Sequence, residues 1–258
     1  LPRFDRLEYE EPQPDLSGRP SSSPSDADEQ HWLRQADEQR RAGLYEGALR
    51  YYSRALELDK SLLQAWLGQV QMLILLDEHK EAELWSRKAL ELFRNNGELM
   101  AGRAQALCRL HDLKQAHPLC DAALGQEGQS AYRWIVRGEL MVNGRQEIDR
   151  HCFDKAMTLD ADWLVPMEIA LVYRYYDNSS KALLRLRQAV ERNPGKPFTW
   201  YLKACCEIDL DLAAQARKSL DRCLELQPNH ANARKRLAEL AQQGWSLTRM
   251  VRGWLRRS

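Results

Sequence analysis

One pattern of residues returns along this chain at a fixed interval. The segment GLYEGALRYYSRALELDK, from Gly43 to Lys60, is echoed by DEHKEAELWSRKALELFR, DNSSKALLRLRQAVERNP and DLAAQARKSLDRCLELQP. Ala48, Ala82 and Ala116 stand 34 residues apart, and so do Ala182 and Ala216. A fixed period means that one supersecondary unit recurs, and this limits the architecture more than any other feature. Within the pattern, apolar residues fall at helical spacing, as Ala55, Leu56 and Leu58 do after Tyr52. A unit this short cannot bury its apolar face alone, so the units must stack on one another.

The period and the residues that carry it resemble the tetratricopeptide repeat family, whose unit is a helix–turn–helix of about 34 residues. Units are placed at 29–62, 63–96, 97–130, 131–162, 163–196 and 197–230. The bulky residue near the start of the first helix matches Trp32, Trp66, Trp134 and Trp200. The small residue in the middle of that helix matches Ala36, Ala104, Gly138, Ala170 and Ala204. The small residue opening the second helix matches Ala48, Ala82, Ala116, Ala182 and Ala216, followed by an aromatic at Tyr52 and Phe153. A later alanine matches Ala55, Ala89, Ala123, Ala156 and Ala189, and a closing proline matches Pro194 and Pro228. Antiparallel helices approach closely only where side chains are small, and a large side chain on the neighbour then fills the gap. The resemblance implies an all-α, right-handed α-solenoid of about six helix pairs with a C-terminal capping helix.

The middle of the array departs from the pattern. In the fourth unit Asp149 takes the place of a small residue, the unit is shorter, and the turn NGRQEIDR is expected to be irregular. In the third, Pro118 falls inside the second helix, where it removes a backbone hydrogen bond and is expected to kink or delay the helix. Pro166 falls early in a helix, where its missing N–H does little harm.

Outside the repeats the composition changes. Residues 10–28, EEPQPDLSGRPSSSPSDAD, hold too little apolar surface to offset their ordering entropy and read as a disordered linker, giving a tail at 1–28. Phe4, Leu7 and Tyr9 lie ahead of it, among charges, as a frayed end or a docking motif. Residues 231–243 read as a capping helix. In the tail beyond, Leu247, Met250, Val251 and Trp254 form an apolar helical stripe, flanked by Trp245 and interspersed with Arg249, Arg252, Arg256 and Arg257. Such a helix suits the array's end, a partner's groove or an anionic membrane surface. Net charge is +1 and cationic residues are diluted by acids, so no nucleic-acid partner is expected. The six cysteines have irregular spacing and no C-x-x-C, which favours free thiols in a reducing cytoplasm.

No catalytic or phosphate-binding motif is present, so no enzyme activity and no cofactor are expected. His117 and Cys120 form an H-x-x-C pair with His111 upstream, too few ligands for zinc. Family geometry places the first helix of each unit along a groove. The groove residues expected to hold a partner are Leu33, Leu67, Gln71, Ile135, Leu164, Met167, Leu171, Tyr175, Phe198 and Tyr201. The family's clamp for acidic chaperone tails needs Lys, Asn and Arg at positions that here hold Leu33, Asp37, Leu67, Gln71, Ala101 and Gln105. The expected function is therefore a scaffold or adaptor that holds a helical or extended apolar segment of another protein. A peripheral membrane adaptor and a regulatory subunit of an enzyme complex are the other readings.

Overall fold

A computed structural model describes residues 28–242, and all the regular structure among them is helical. The chain is an all-α helical-repeat solenoid that divides into two compact units between Glu127 and Gly128. The first unit holds α1 (Glu29–Arg41), α2 (Tyr45–Leu58), α3 (Leu63–Leu75), α4 (His79–Leu92), α5 (Gly97–Arg109) and α6 (Leu113–Gly125). The second holds α7 (Ala131–Asn143), α8 (Asp149–Leu159), α9 (Leu164–Tyr175), α10 (Ser179–Arg192), α11 (Pro197–Asp209) and α12 (Ala213–Leu226). A further helix, α13, covers 231–242. The tails at 1–27 and 243–258, with the Trp245–Arg257 stripe, lie outside the described residues.

Odd- and even-numbered helices pair as antiparallel hairpins, and alanine allows the pairing. Ala48, Ala82, Ala116, Ala182 and Ala216 have no exposed surface, and neither do Ala36, Ala104, Ala170 and Ala204. Where the first helix carries glycine, a ring takes the space. A Cβ on Gly68 would lie 2.3 Å from the Tyr52 ring, and one on Gly138 would lie 2.3 Å from Phe153. The indoles tie hairpins to the loops before them: Trp66 Nε1 donates to the Lys60 carbonyl at 2.9 Å and Trp200 Nε1 to Pro194 at 2.8 Å. In the fourth hairpin the matching carbonyl, of Gly128, accepts Arg133 Nη1 instead. Trp134 Nε1 is then left buried without a hydrogen-bond partner among the described residues.

The turn inside each hairpin repeats one backbone device. Gly43, Asp77, His111, Arg145, Asp177 and Asp211 all take positive φ, between 52° and 76°. The residue after each donates its N–H back across the helix end, Leu44 to the Gln39 carbonyl and Asn178 to that of Tyr173, for example. This six-to-one bond defines a Schellman cap, which satisfies helix-end carbonyls. Only one of the six positions is glycine, so the others hold a conformation that costs an L-residue about 1 kcal/mol.

The irregular fourth hairpin has a local cause. Elsewhere the second helix begins two residues after the positive-φ residue, but α8 begins only at Asp149, after Arg145. Pro118 does not delay its helix, because α6 runs from Leu113 to Gly125 through it. Pro118 and Lys114, whose carbonyl loses its amide partner, are both exposed, so water reaches that carbonyl. Pro166 sits in the first turn of α9. Beyond α12, Ala233 and Leu240 of α13 pack against Ala216, Leu220 and Cys223 and cover the last hairpin.

Candidate functional site

Successive first helices touch within each unit: α1 with α3, α3 with α5 and α7 with α9, while Thr199 of α11 reaches Met167 of α9. In the first unit, α1 and α3 enclose a pocket of about 180 Å³. Leu33, Leu67 and Gln71 line it, as do Asp37, Arg40 and Tyr52. The Tyr52 hydroxyl donates to Asp37 Oδ1 at 2.7 Å. Burial, followed by the Asp37 charge and hydrogen bond, pushes the phenol well above its usual range, against the opposing pull of Arg40. Leu33 and Gln71 are buried and Leu67 is half-buried, so this pocket is narrow and mixed in polarity.

In the second unit α9 and α11 carry aromatic side chains. Leu171 and Tyr175 of α9 and Phe198 and Tyr201 of α11 are half-buried. Tyr175 meets Tyr176 edge-on at 5.0 Å, Phe198 stacks on Tyr201 at 6.5 Å, and Tyr201 lies 4.8 Å from His230. The Tyr201 phenol also interacts with the Cys205 thiol and the Arg236 guanidinium. Arg174 lies close enough to Cys205 to act on it electrostatically. The Tyr176 hydroxyl donates to the buried Glu139 at 3.4 Å and accepts from Asn143 at 3.2 Å, tying α9 to α7.

The expected groove residues therefore separate into two groups. Ile135, Leu164 and Met167 are buried and belong to the hydrophobic core of this unit. Met167 is 1% exposed, and the Thr199 hydroxyl lies 3.8 Å from its sulfur. It supports the face from beneath and offers no contact surface, because α11 covers it. Leu171, Tyr175, Phe198 and Tyr201 are the members of this unit that keep exposed surface. His230 and Arg236 lie beside Tyr201, and Arg174 near Cys205; the sequence hides these three because two lie beyond the paired helices and Arg174 falls one position from the Tyr175 phase.

Asp149 shows what a carboxylate does in an alanine's place. It is buried, and accepts the Tyr173 hydroxyl and Lys181 Nζ, both at 2.7 Å, on the same oxygen. Burial alone would raise its pKa, but the bonds from Lys181 and Tyr173 and the lysine charge hold it below the ordinary value. A depressed carboxylate contributes stability that is present above its unfolded pKa of about 3.9 and is lost as pH falls through the lower folded value. Asp149→Asn is therefore expected to remove part of the acid sensitivity. Thermal midpoints at pH 5 and pH 3 are expected to differ less in the variant than in the parent, and an unchanged difference would assign the acid response elsewhere.

All six cysteines are free and buried, and burial pushes Cys206 up to about 12 and Cys223 to about 11, which keeps both thiols protonated. Among the described residues no three His, Cys, Asp or Glu side chains converge as a metal would require. No helix among them is long and apolar enough to cross a membrane.

Stacked helical hairpins with small-for-large exchange at their crossings and one repeating turn define a helical-repeat scaffold. Residues 199–230, the last hairpin, match the sequence profile of the tetratricopeptide repeat. The other five hairpins share its spacing and packing, so the chain has the fold of a tetratricopeptide-type helical repeat. No curated protein matches it in sequence. Among solved structures it resembles yeast Tom70, at TM-score 0.55 and 19% identity over 87% of this chain and 50% of that one. It also resembles a tetratricopeptide repeat protein of Parabacteroides merdae, at TM-score 0.51 and 14% identity over 84% and 86% of the two chains. A third likeness is to the Cut9-Hcn1 hetero-tetramer of the APC/C, at TM-score 0.50 and 16% identity over 84% and 44%. The chain thus spans half or less of the Tom70 and Cut9-Hcn1 chains, and at these identities the likeness is one of fold.

Proposed function

We propose that this protein is an interaction scaffold whose second unit holds an apolar or amphipathic segment of another polypeptide on its first-helix face. The observation that carries this is the set of half-buried side chains, Leu171 and Tyr175 on α9 and Phe198 and Tyr201 on α11, two helices that meet at Met167 and Thr199. These side chains keep apolar surface in water although the adjacent core is closely packed. Aromatic anchors of this kind supply most of the energy of peptide recognition. Arg174 and Arg236 at the border suit a segment that carries carboxylates beside its apolar residues. The Cut9-Hcn1 structure, as a hetero-tetramer, shows a related fold assembled with another protein.

The test places a photo-crosslinking amino acid at Tyr175 in the full chain and identifies the captured polypeptide. Leu171→Glu/Tyr201→Glu is then compared with the parent for binding of that polypeptide. Burying one such side chain contributes about 1.5–3 kcal/mol, so the double variant is expected to bind at least about tenfold more weakly. Helix content by circular dichroism is expected to stay unchanged, because neither residue is fully buried. Equal affinity of the two proteins would remove this face as the site.

A further inference from the structure

The opposite stripe of α11 carries a different surface. Trp200, Lys203 and Glu207 line a cleft of about 500 Å³, together with Arg187 of α10 and Lys218, Ser219 and Arg222 of α12. Its floor is a closed polar network. Lys203 Nζ donates to Glu207 Oε1 at 2.5 Å and to Ser219 Oγ at 2.8 Å, and Ser219 donates to Glu207 Oε2 at 2.6 Å. The position of Glu207 in its repeat is held by Leu73, Leu107, Met141 and Tyr173 in four of the others. A buried ion pair in that place contributes little to stability compared with apolar packing. What it does is fix an ammonium group at the base of the cleft, 5.5 Å from the Trp200 ring.

The rim is unbalanced in charge. Arg222 is paired with Glu225 at 2.7 Å. Arg187 and Lys218 are exposed, and no carboxylate among the described residues pairs with either. The exposed positions of α10 and α12 carry Lys181, Arg187, Arg192, Arg217, Lys218 and Arg222 against Glu191, Asp221 and Glu225. Of these, the cleft itself brings together Arg187, Lys218 and Arg222 above Lys203, against Glu207 and Glu225. We infer that this cleft is a second binding site, for an acidic segment of a partner polypeptide. Two of its carboxylates would meet Arg187 and Lys218 while an apolar neighbour lies against Trp200. Guanidinium and ammonium donors on different helices suit carboxylates spaced along an extended chain.

The test uses the full chain and a fluorescein-labelled Asp/Glu-rich peptide containing one Leu, read by anisotropy. Binding is expected to be saturable and to weaken with added salt. Arg187→Glu/Lys218→Glu, whose sites are exposed and leave the fold intact, is expected to weaken it by at least about tenfold. Leu171→Glu/Tyr201→Glu is expected to leave it unchanged, which separates this site from the first-helix face. Equal binding by the Arg187→Glu/Lys218→Glu protein would overturn the inference. So would competition by inorganic phosphate or a single-stranded oligonucleotide as strong, charge for charge, as by unlabelled peptide, since the cleft would then respond to charge alone.

Discussion

Gly138→Val is expected to destabilise the second unit by about 3 kcal/mol, at the upper end of what overpacking costs. A Cβ at this position would lie 2.3, 2.6 and 2.7 Å from three carbons of the Phe153 ring, all inside contact distance. The ring cannot retreat easily. Phe153 has no exposed surface, and Tyr173 closes its far side in an edge-on contact at 5.1 Å. Either the ring leaves its rotamer or α7 and α8 move apart, and both disturb a densely packed interior. Urea denaturation of the full chain reads the loss. Hydrogen exchange locates it: α7 and α8 are expected to lose protection while α1 to α4 keep theirs, since repeats couple mainly to their neighbours. The mechanism has its own check. Gly138→Ala combined with Phe153→Leu is expected to cost at least about 1 kcal/mol less than the two single changes added together, because the smaller side chain vacates the space the methyl needs. Strict additivity would show that something other than this contact fixes the glycine.

The same contact shows how far the sequence alone reaches. Gly138 and Phe153 stand at the small and aromatic positions of the repeat, so the exchange of small for large is visible in the spacing. The alanines at 48, 82, 116, 182 and 216 were legible for the same reason. A periodic pattern records packing between elements close in sequence. It does not record what arrives from further along. Asp149 is plainly a carboxylate in an alanine's place, but the partners that make it tolerable, Tyr173 and Lys181, come from the next hairpin, 24 and 32 residues on. Met167 satisfies the phase of a groove residue, and only the position of Thr199 shows that it is covered. The positive-φ turns are hidden because Asp, His and Arg fill five of the six places where glycine would have announced them. The division after Glu127 falls in GQEGQS, where the closing turn of the repeat is replaced, though nothing in the periodicity marks a break there.

Lys203→Met is expected to cost about 3 kcal/mol, because breaking a buried pair leaves its other charge uncompensated. The side chains of Lys203 and Glu207 are 15% and 2% exposed, so the carboxylate that loses its ammonium is itself buried at the base of the cleft. Only the Ser219 hydroxyl would remain as a donor to it. Replacing both charges is a different experiment. Lys203→Leu/Glu207→Leu puts apolar side chains where other repeats bury Leu73, Leu107 and Met141, and is expected to be as stable as the parent or more so. Urea midpoints for the parent, the single and the double variant separate these outcomes. A single variant within about 0.5 kcal/mol of the parent would mean that the pair is solvated and its burial overstated. A double variant as unstable as the single would mean that the network holds α11 to α12 through directional bonds that leucine cannot supply. If instead the double variant is stable and fails to hold the acidic probe peptide, the ion pair serves the cleft above it and contributes nothing the fold requires.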